Sequence, residues 1–275
     1  MALSLAACGN SGGSSSSAPA DASGSSSQAN SSTSSSSANT ESDLAYVQNK
    51  GTLVVGITEF EPMDYQNTDG EWIGFDADLA KEFAESLGVT VEFQLIDWDN
   101  KVMELDGKTI DVVWNGMTLT EDVLAAMECS QPYLINQQVV VVPADVAEDY
   151  QTEESLADLN FAVEIGSAGC EVAQANGYSY TEVADQATAL LEVASGTADA
   201  AIIDSLMAGA MIGEGTSYAD MTSTVALTSE EYGVGFRKGS DLAATLNEFL
   251  SGKYADGSIQ TLAETYGVQD ALVQE

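Results

Sequence analysis

The sequence predicts an α/β fold of two lobes, the second inserted into the first, and three observations carry that expectation. From Leu44 onward, short β-rich runs alternate with stretches of helical period, the pattern of parallel strands joined by helices. The pattern starts afresh after Val139 to Pro143, a strand-like run that leaves the first set. The final strand and helices close the chain against the first lobe. With 275 residues and 44% hydrophobic positions, the chain can bury one substantial core or two modest ones.

In order, Leu53 to Ile57 is the first strand. Asp76 to Leu87 places Leu79, Phe83 and Leu87 on one helical face beside Ala80 and Ala84, and Gly88 supplies the stop. Val89, Val91, Phe93 and Leu95 then alternate with Thr90, Glu92 and Gln94 as a half-buried strand, and Ile110 to Trp114 follows as a more buried one. In the second lobe Phe161 to Glu164 is a strand and Gly166 to Gly169 a turn of small residues. Asp185 to Ala194 is a helix carrying Leu190 and Leu191, stopped by Gly196, and Ala200 to Ile203 is the next strand. Tyr232 to Phe236 and helices over Asp241 to Ser251 and Ser258 to Tyr266 complete the fold.

Ahead of this lies a different kind of sequence. Met1 to Cys8 is an apolar stretch ending in small residues before a cysteine, as at a secretory cleavage site. Leu5-Ala6-Ala7-Cys8 resembles the bacterial lipobox, which implies lipidation at Cys8. Residues 9–43 are almost entirely Ser, Ala, Gly, Asn and Thr. Such a stretch buries too little apolar surface to offset its conformational entropy and reads as a flexible tether.

Composition removes several functions. The net charge of -37, from 44 Asp and Glu against seven Lys and Arg, leaves no basic face for nucleic acid or for anionic lipid headgroups. No apolar run reaches the roughly 20 residues of a membrane-spanning helix. Histidine is absent and the three cysteines have no CxxC pairing, so zinc sites and His-based triads are not expected. Neither a metal nor a cofactor is expected. Cys129 and Cys170 read as separate thiols.

Eight segments stand out in order along the folded part. They are Gly51-Thr-Leu-Val-Val-Gly56, Phe60-Glu-Pro-Met-Asp-Tyr65, Gly70-Glu-Trp-Ile-Gly-Phe-Asp-Ala-Asp-Leu79 and Asp111-Val-Val-Trp-Asn-Gly-Met-Thr-Leu-Thr120. Ser130-Gln-Pro-Tyr133, Gly166-Ser-Ala-Gly169, Ala198-Asp-Ala-Ala-Ile-Ile-Asp204 and Glu231-Tyr-Gly-Val-Gly-Phe-Arg-Lys-Gly239 follow. Read together they resemble the amino-acid class of extracellular solute-binding proteins (family 3) that serve bacterial ABC importers, over roughly 51–268. The resemblance implies a periplasmic-binding-protein-like fold of type II, each lobe a mainly parallel sheet flanked by helices. Two crossovers are then expected near Gln138 to Val142 and Ala226 to Glu231. The implied organisation is a signal remnant (1–8), a tether (9–43), lobe 1 (44–138), lobe 2 (139–228) and the return of lobe 1 (229–275).

The same resemblance implies a monomeric binding protein, not an enzyme, on the outer face of the cell membrane or in the periplasm. It delivers an amino acid or related amine-bearing solute to a permease and its ATPase. Phe60 and Trp98 match the family's two aromatic platforms. Asn115, Gly116 and Thr118, with Met117 among them, match a ligand-binding stretch, expected as a loop after a strand end. Ser167 and Gly169 fall at the second-lobe turn, with Glu164 ahead of it. Asp204 matches the carboxylate that binds the ligand's amino group; a plainer role for it is the N-cap of a helix from Ser205. One departure stands out. The arginine that grips the ligand carboxylate falls on Val123, and Arg237, the chain's one arginine, lies in another motif. This suggests a ligand without a free α-carboxylate, or one whose carboxylate is held by backbone donors. The alternative function is a dehydratase-like enzyme on the same fold, with Glu164 and Asp204 as acid and base.

Overall fold

The computed structural model describes residues 42–274; Cys8 and the tether sequence up to residue 41 lie outside them. Ser42 and Asp43, placed with the tether from sequence, belong to the first helix and its cap. Ser42 caps α1 (Asp43–Lys50), its hydroxyl accepting the Ala45 N–H, and Gly51 closes that helix in the left-handed region at φ 80°.

The first lobe then runs β1 (Thr52–Ile57), β2 (Tyr65–Gln66), β3 (Trp72–Ile73), α2 (Phe75–Leu87), β4 (Thr90–Leu95), α3 (Lys101–Asp106), β5 (Val112–Thr118), α4 (Glu121–Ala126), β6 (Glu128–Cys129) and β7 (Leu134–Asn136). The second lobe runs β8 (Gln138–Pro143), β9 (Asn160–Glu164), α5 (Ala168–Asn176), β10 (Ser179–Val183), α6 (Gln186–Ser195), β11 (Ala200–Asp204), α7 (Ser205–Met211) and β12 (Met221–Ala226). β13 (Glu230–Phe236), α8 (Leu242–Asp256) and α9 (Ser258–Tyr266) return to the first.

Two sheets result, ordered β4-β1-β5-β13-β6, with β7 also on β13, and β10-β9-β11-β8-β12. β1 is parallel to β4 and β5, and β9 to β10 and β11. β13 and β8 run antiparallel to these sets. The reason is connectivity: each has just crossed from the other lobe and enters its sheet at the end where the parallel strands finish. The carboxyl ends of both parallel sets therefore meet at the crossovers.

The passage from β7 to β8 is the single residue Gln137, and the return uses residues 227–229. The two passages are tied together, Leu227 N donating to Gln138 O at 2.8 Å and Gln138 N to Thr228 Oγ1 at 2.9 Å. The crossover expected over Gln138 to Val142 is thus a strand of the second sheet.

Packing follows the helical face read from sequence. Leu79, Ala80, Phe83 and Ala84 of α2 are buried, and Phe83 meets Trp114 and Phe249 with ring centroids 6.1 and 5.4 Å apart. A buried side chain of this size contributes about 1.5–3 kcal/mol. Several expectations are corrected. Leu95 is 58% exposed, because it ends an edge strand. Ile110 precedes its strand, which instead continues through Thr118, where β13 supplies partners for Met117 and Thr118. The Gly166 to Gly169 turn ends at Ser167, whose hydroxyl caps α5 by accepting the Cys170 N–H. β10 and β12 have no counterpart in the sequence reading, and the helix it offered as the alternative after Asp204 is α7.

Arg237 has a structural task. Its guanidinium bonds both Asp43 oxygens (3.0 and 2.9 Å), Ile110 O (2.8 Å) and Leu105 O (3.3 Å), and reaches Asp111 at 3.5 Å. Removing one partner of a buried pair leaves the other charge uncompensated. Arg237→Met is expected to lower stability by about 3 kcal/mol in urea denaturation, with no change in ligand preference by titration calorimetry.

Candidate functional site

Where the strand ends meet, the first lobe contributes Phe60, Trp98, Asn115, Gly116, Met117 and Thr118 to a cavity, and the second contributes Glu164, Ser167 and Asp204. Its free volume is about 30 Å³, room for one or two waters, so the lobes lie closed on each other. Gly169 is the sequence candidate that does not reach it. It sits in the first turn of α5, where an added Cβ would meet Gln138 Oε1 and Ile202 O, each at 2.9 Å; Ala168 faces the cavity in its place.

The first-lobe wall is set by a buried polar network. Asn115 accepts from Thr58 N and Oγ1 and donates to Thr58 O and Asp64 Oδ2. Its side chain is fully used, so what it presents to the cavity is backbone. Gly116 sits at φ 54° and its N–H donates to Asp76 Oδ2 at 2.7 Å, while Tyr133 OH bonds both Asp76 oxygens. A Cβ at Gly116 would lie 2.5 Å from the Phe60 ring, so glycine lets that ring lie against the strand. Burial pushes Asp76 up to about 7, against the hydrogen bonds from Gly116 and Tyr133, and pushes Asp64 well above the usual carboxylate range, with Asp76 adding to it.

Asp204 is held differently from a helix cap. It occupies the N-cap position of α7 but makes no capping hydrogen bond. Its carboxylate instead accepts from Gln138 Nε2 at 2.7 Å and from the amides of Asn136 and Gln186. Asn136 Nδ2 and Gln138 Nε2 also donate to Glu230 Oε1, each at 2.8 Å, and Thr118 Oγ1 donates to the same oxygen at 2.8 Å. Burial, then Glu230, pushes Asp204 up to about 7. Glu164 is buried with Oε1 lacking any hydrogen-bond partner in the protein, and burial, then Asp204, holds it protonated well above its usual range.

The sequence reading missed the network partners Asn136, Gln138, Gln186 and Glu230 and, on the cavity wall, Lys101, Thr120 and Glu171. Lys101 lines the cavity and corrects the premise that it holds no cation. Val123, where the family's arginine would stand, lines it too. Lys101 Nζ lies 4.8 Å from the Trp98 ring centroid and donates to Trp98 O and, across the cleft, to Gly166 O at 3.0 Å. A signal was available in the sequence: a lysine three residues after a cleft aromatic, at the start of a helix, returns to the same face.

Two expectations follow. Carboxyls raised by burial bind protons in the folded state that the unfolded chain has already released, so their stabilisation is full below about pH 4 and is lost as pH rises through about 7. The urea midpoint of the ligand-free protein should fall between pH 5 and 8, and Asp204→Asn should flatten that slope. Gly166, at φ 69°, would place a Cβ 2.9 Å from Asp99 Cα across the cleft. Gly166→Ala should shift the closed-to-open ratio roughly 10-fold toward open, at a cost of about 1–2 kcal/mol, read as a larger radius of gyration in X-ray scattering.

Residues 53–269 match the family described as bacterial extracellular solute-binding proteins, family 3. The L-cystine-binding protein TcyJ of Escherichia coli K12 is 29% identical over 230 residues, 82% of this chain and 86% of that protein. The structure of an ABC uptake transporter substrate binding protein from Streptococcus pneumoniae with bound histidine superposes with a TM-score of 0.77 at 28% identity, covering 85% of this chain and 99% of that one. A cyclohexadienyl dehydratase of Pseudomonas aeruginosa is also similar, 25% identical over 61% of this chain and 65% of its own.

Proposed function

The chain belongs to the bacterial extracellular solute-binding proteins, family 3, and from that membership we propose that it is the substrate-binding component of an ABC importer. It captures an amino acid or related small amine-bearing solute between its lobes and delivers it to a permease and its ATPase. The observation that carries this reading is the pair of buried carboxyls, Asp204 and Glu164, at the ends of β11 and β9 beside the cavity's aromatic rings. A ligand ammonium there supplies a counter-charge to Asp204 and a donor to Glu164 Oε1, which has no hydrogen-bond partner in the protein, and each of the Phe60 and Trp98 faces adds about 0.5–2 kcal/mol. Backbone at Asn115 and Gly116, with Met117, Thr118 and Ser167, completes the contacts. A ligand touching both lobes stabilises the closed form, because only that form makes both sets of contacts.

Two forms of ligand suit the cleft. Val123 supports a solute without a free α-carboxylate; the Lys101 ammonium supports an amino acid whose carboxylate it receives. The dehydratase-like reading needs Asp204 to exchange protons with a substrate. Three amide donors hold that carboxylate as a fixed acceptor, which suits a carrier better. The family is extracellular, and none of the described helices is long and apolar enough to cross a membrane, so attachment through a lipid on Cys8 belongs with this proposal.

A thermal-shift screen of the full chain against free amino acids and against amines lacking the carboxylate tests it. A ligand at about 100 times its Kd stabilises by roughly 2.7 kcal/mol. At least one compound should raise the melting temperature, and Asp204→Asn should abolish that rise. Silence across both panels, or a rise unaffected by Asp204→Asn, would overturn the reading.

A further inference from the structure

We propose that Lys101 takes the place of the missing arginine: its ammonium receives the ligand's carboxylate, and the solute is a zwitterionic amino acid rather than a bare amine. This deepens the proposed function and rests on it.

Position comes first. Lys101 begins α3 directly after the turn Trp98–Asn100 and is 8% exposed. Lys50, Lys81, Lys253 and Arg237 each reach a carboxylate. No carboxylate oxygen lies within 4.0 Å of Lys101 Nζ among the described residues; its acceptors are two neutral carbonyls, Trp98 O at 3.2 Å and Gly166 O at 3.0 Å. An ammonium has three protons to donate, so one remains for an anion.

The surroundings fit a carboxylate. Trp98, Val123 and Lys101 all line the one cavity, Trp98 and Val123 belong to the same apolar cluster, and the ammonium lies over the Trp98 ring. Its partner Gly166 leads into α5. The first N–H groups of a helix have no intrahelical acceptor; here Ser167 Oγ takes that of Cys170, leaving those of Ala168 and Gly169. A carboxylate beside Lys101 is therefore gripped by a cation from one lobe and meets a helix N-terminus on the other. Glu171, one turn further along α5, is exposed and lines the same cavity, so the cation has to outweigh it. One ammonium facing two buried carboxyls is the complement of a zwitterion.

Titration calorimetry on the full chain with matched pairs decides the matter: arginine and agmatine, histidine and histamine, lysine and cadaverine, cystine and cystamine. In the wild type the carboxylated member of the pair that binds should be favoured by at least about 10-fold. Lys101→Met should erase that preference and Lys101→Arg should retain it. The within-pair ratio is the readout, since a lysine that merely latched the lobes would shift both members equally. A wild type that prefers the amine, or a ratio unchanged in Lys101→Met, overturns the assignment while leaving the binding function intact. If no member of any pair binds, the proposed function falls and this assignment with it.

Discussion

Two carboxylates are held at one point by two amides, and the cleft is built around that constraint. Register brings them there: Asp204 pairs with Gln138 across β11 and β8, and Glu230 with Asn136 across β13 and β7. Asn136 and Gln138 flank the single crossing residue Gln137, so the amides that separate the like charges are also the ends of the hinge. Asp204 could not stay buried beside the half-buried Glu230 without those donors. The carboxyl that faces the cavity and the joint between the lobes are thus one hydrogen-bonded unit. A change of charge at Asp204 is felt at the hinge directly.

The first lobe solves a related problem with a separate device. Asp64 and Asp76 are buried behind the wall of the cavity and feed hydrogen bonds forward through Asn115 and Gly116. The positive φ of Gly116 bends β5 where Phe60 needs room, and Phe60 then rests edge-on against Tyr232 of β13, centroids 6.4 Å apart. Phe60 and Asp64 also exchange backbone hydrogen bonds of 2.7 and 2.8 Å, so the aromatic platform is tied to the same network. The arrangement is costly in buried charge and gains rigidity, since each member of the network fixes the next.

Lys101 links the lobes through a cation rather than a carboxylate. It packs on its own lobe's tryptophan and reaches the other lobe's Gly166, while Gly166 lies close against Asp99. Closure in this chain is short-range and tightly fitted, so small changes at 166 or 101 act on the whole lobe-to-lobe contact.

Much was legible from the sequence alone because it is local. The α2 face, the glycine stops and the restart after Pro143 depend on periodicity and backbone preference, and these led to two α/β lobes. Motif order pointed to Phe60, Trp98, Asp204 and the gap at Val123, and all four positions line the cavity. What the sequence could not reveal depends on register and on crossing. The end of β5 became strand because a chain segment more than 100 residues later pairs with it. Asp204 is not a helix cap because Gln186, Asn136 and Gln138 outcompete the backbone for its oxygens. Lys101 faces the cleft because a helix start turns it toward a tryptophan and the opposite lobe. Each of these is a contact between residues far apart in the chain, and only the folded structure decides which of them form.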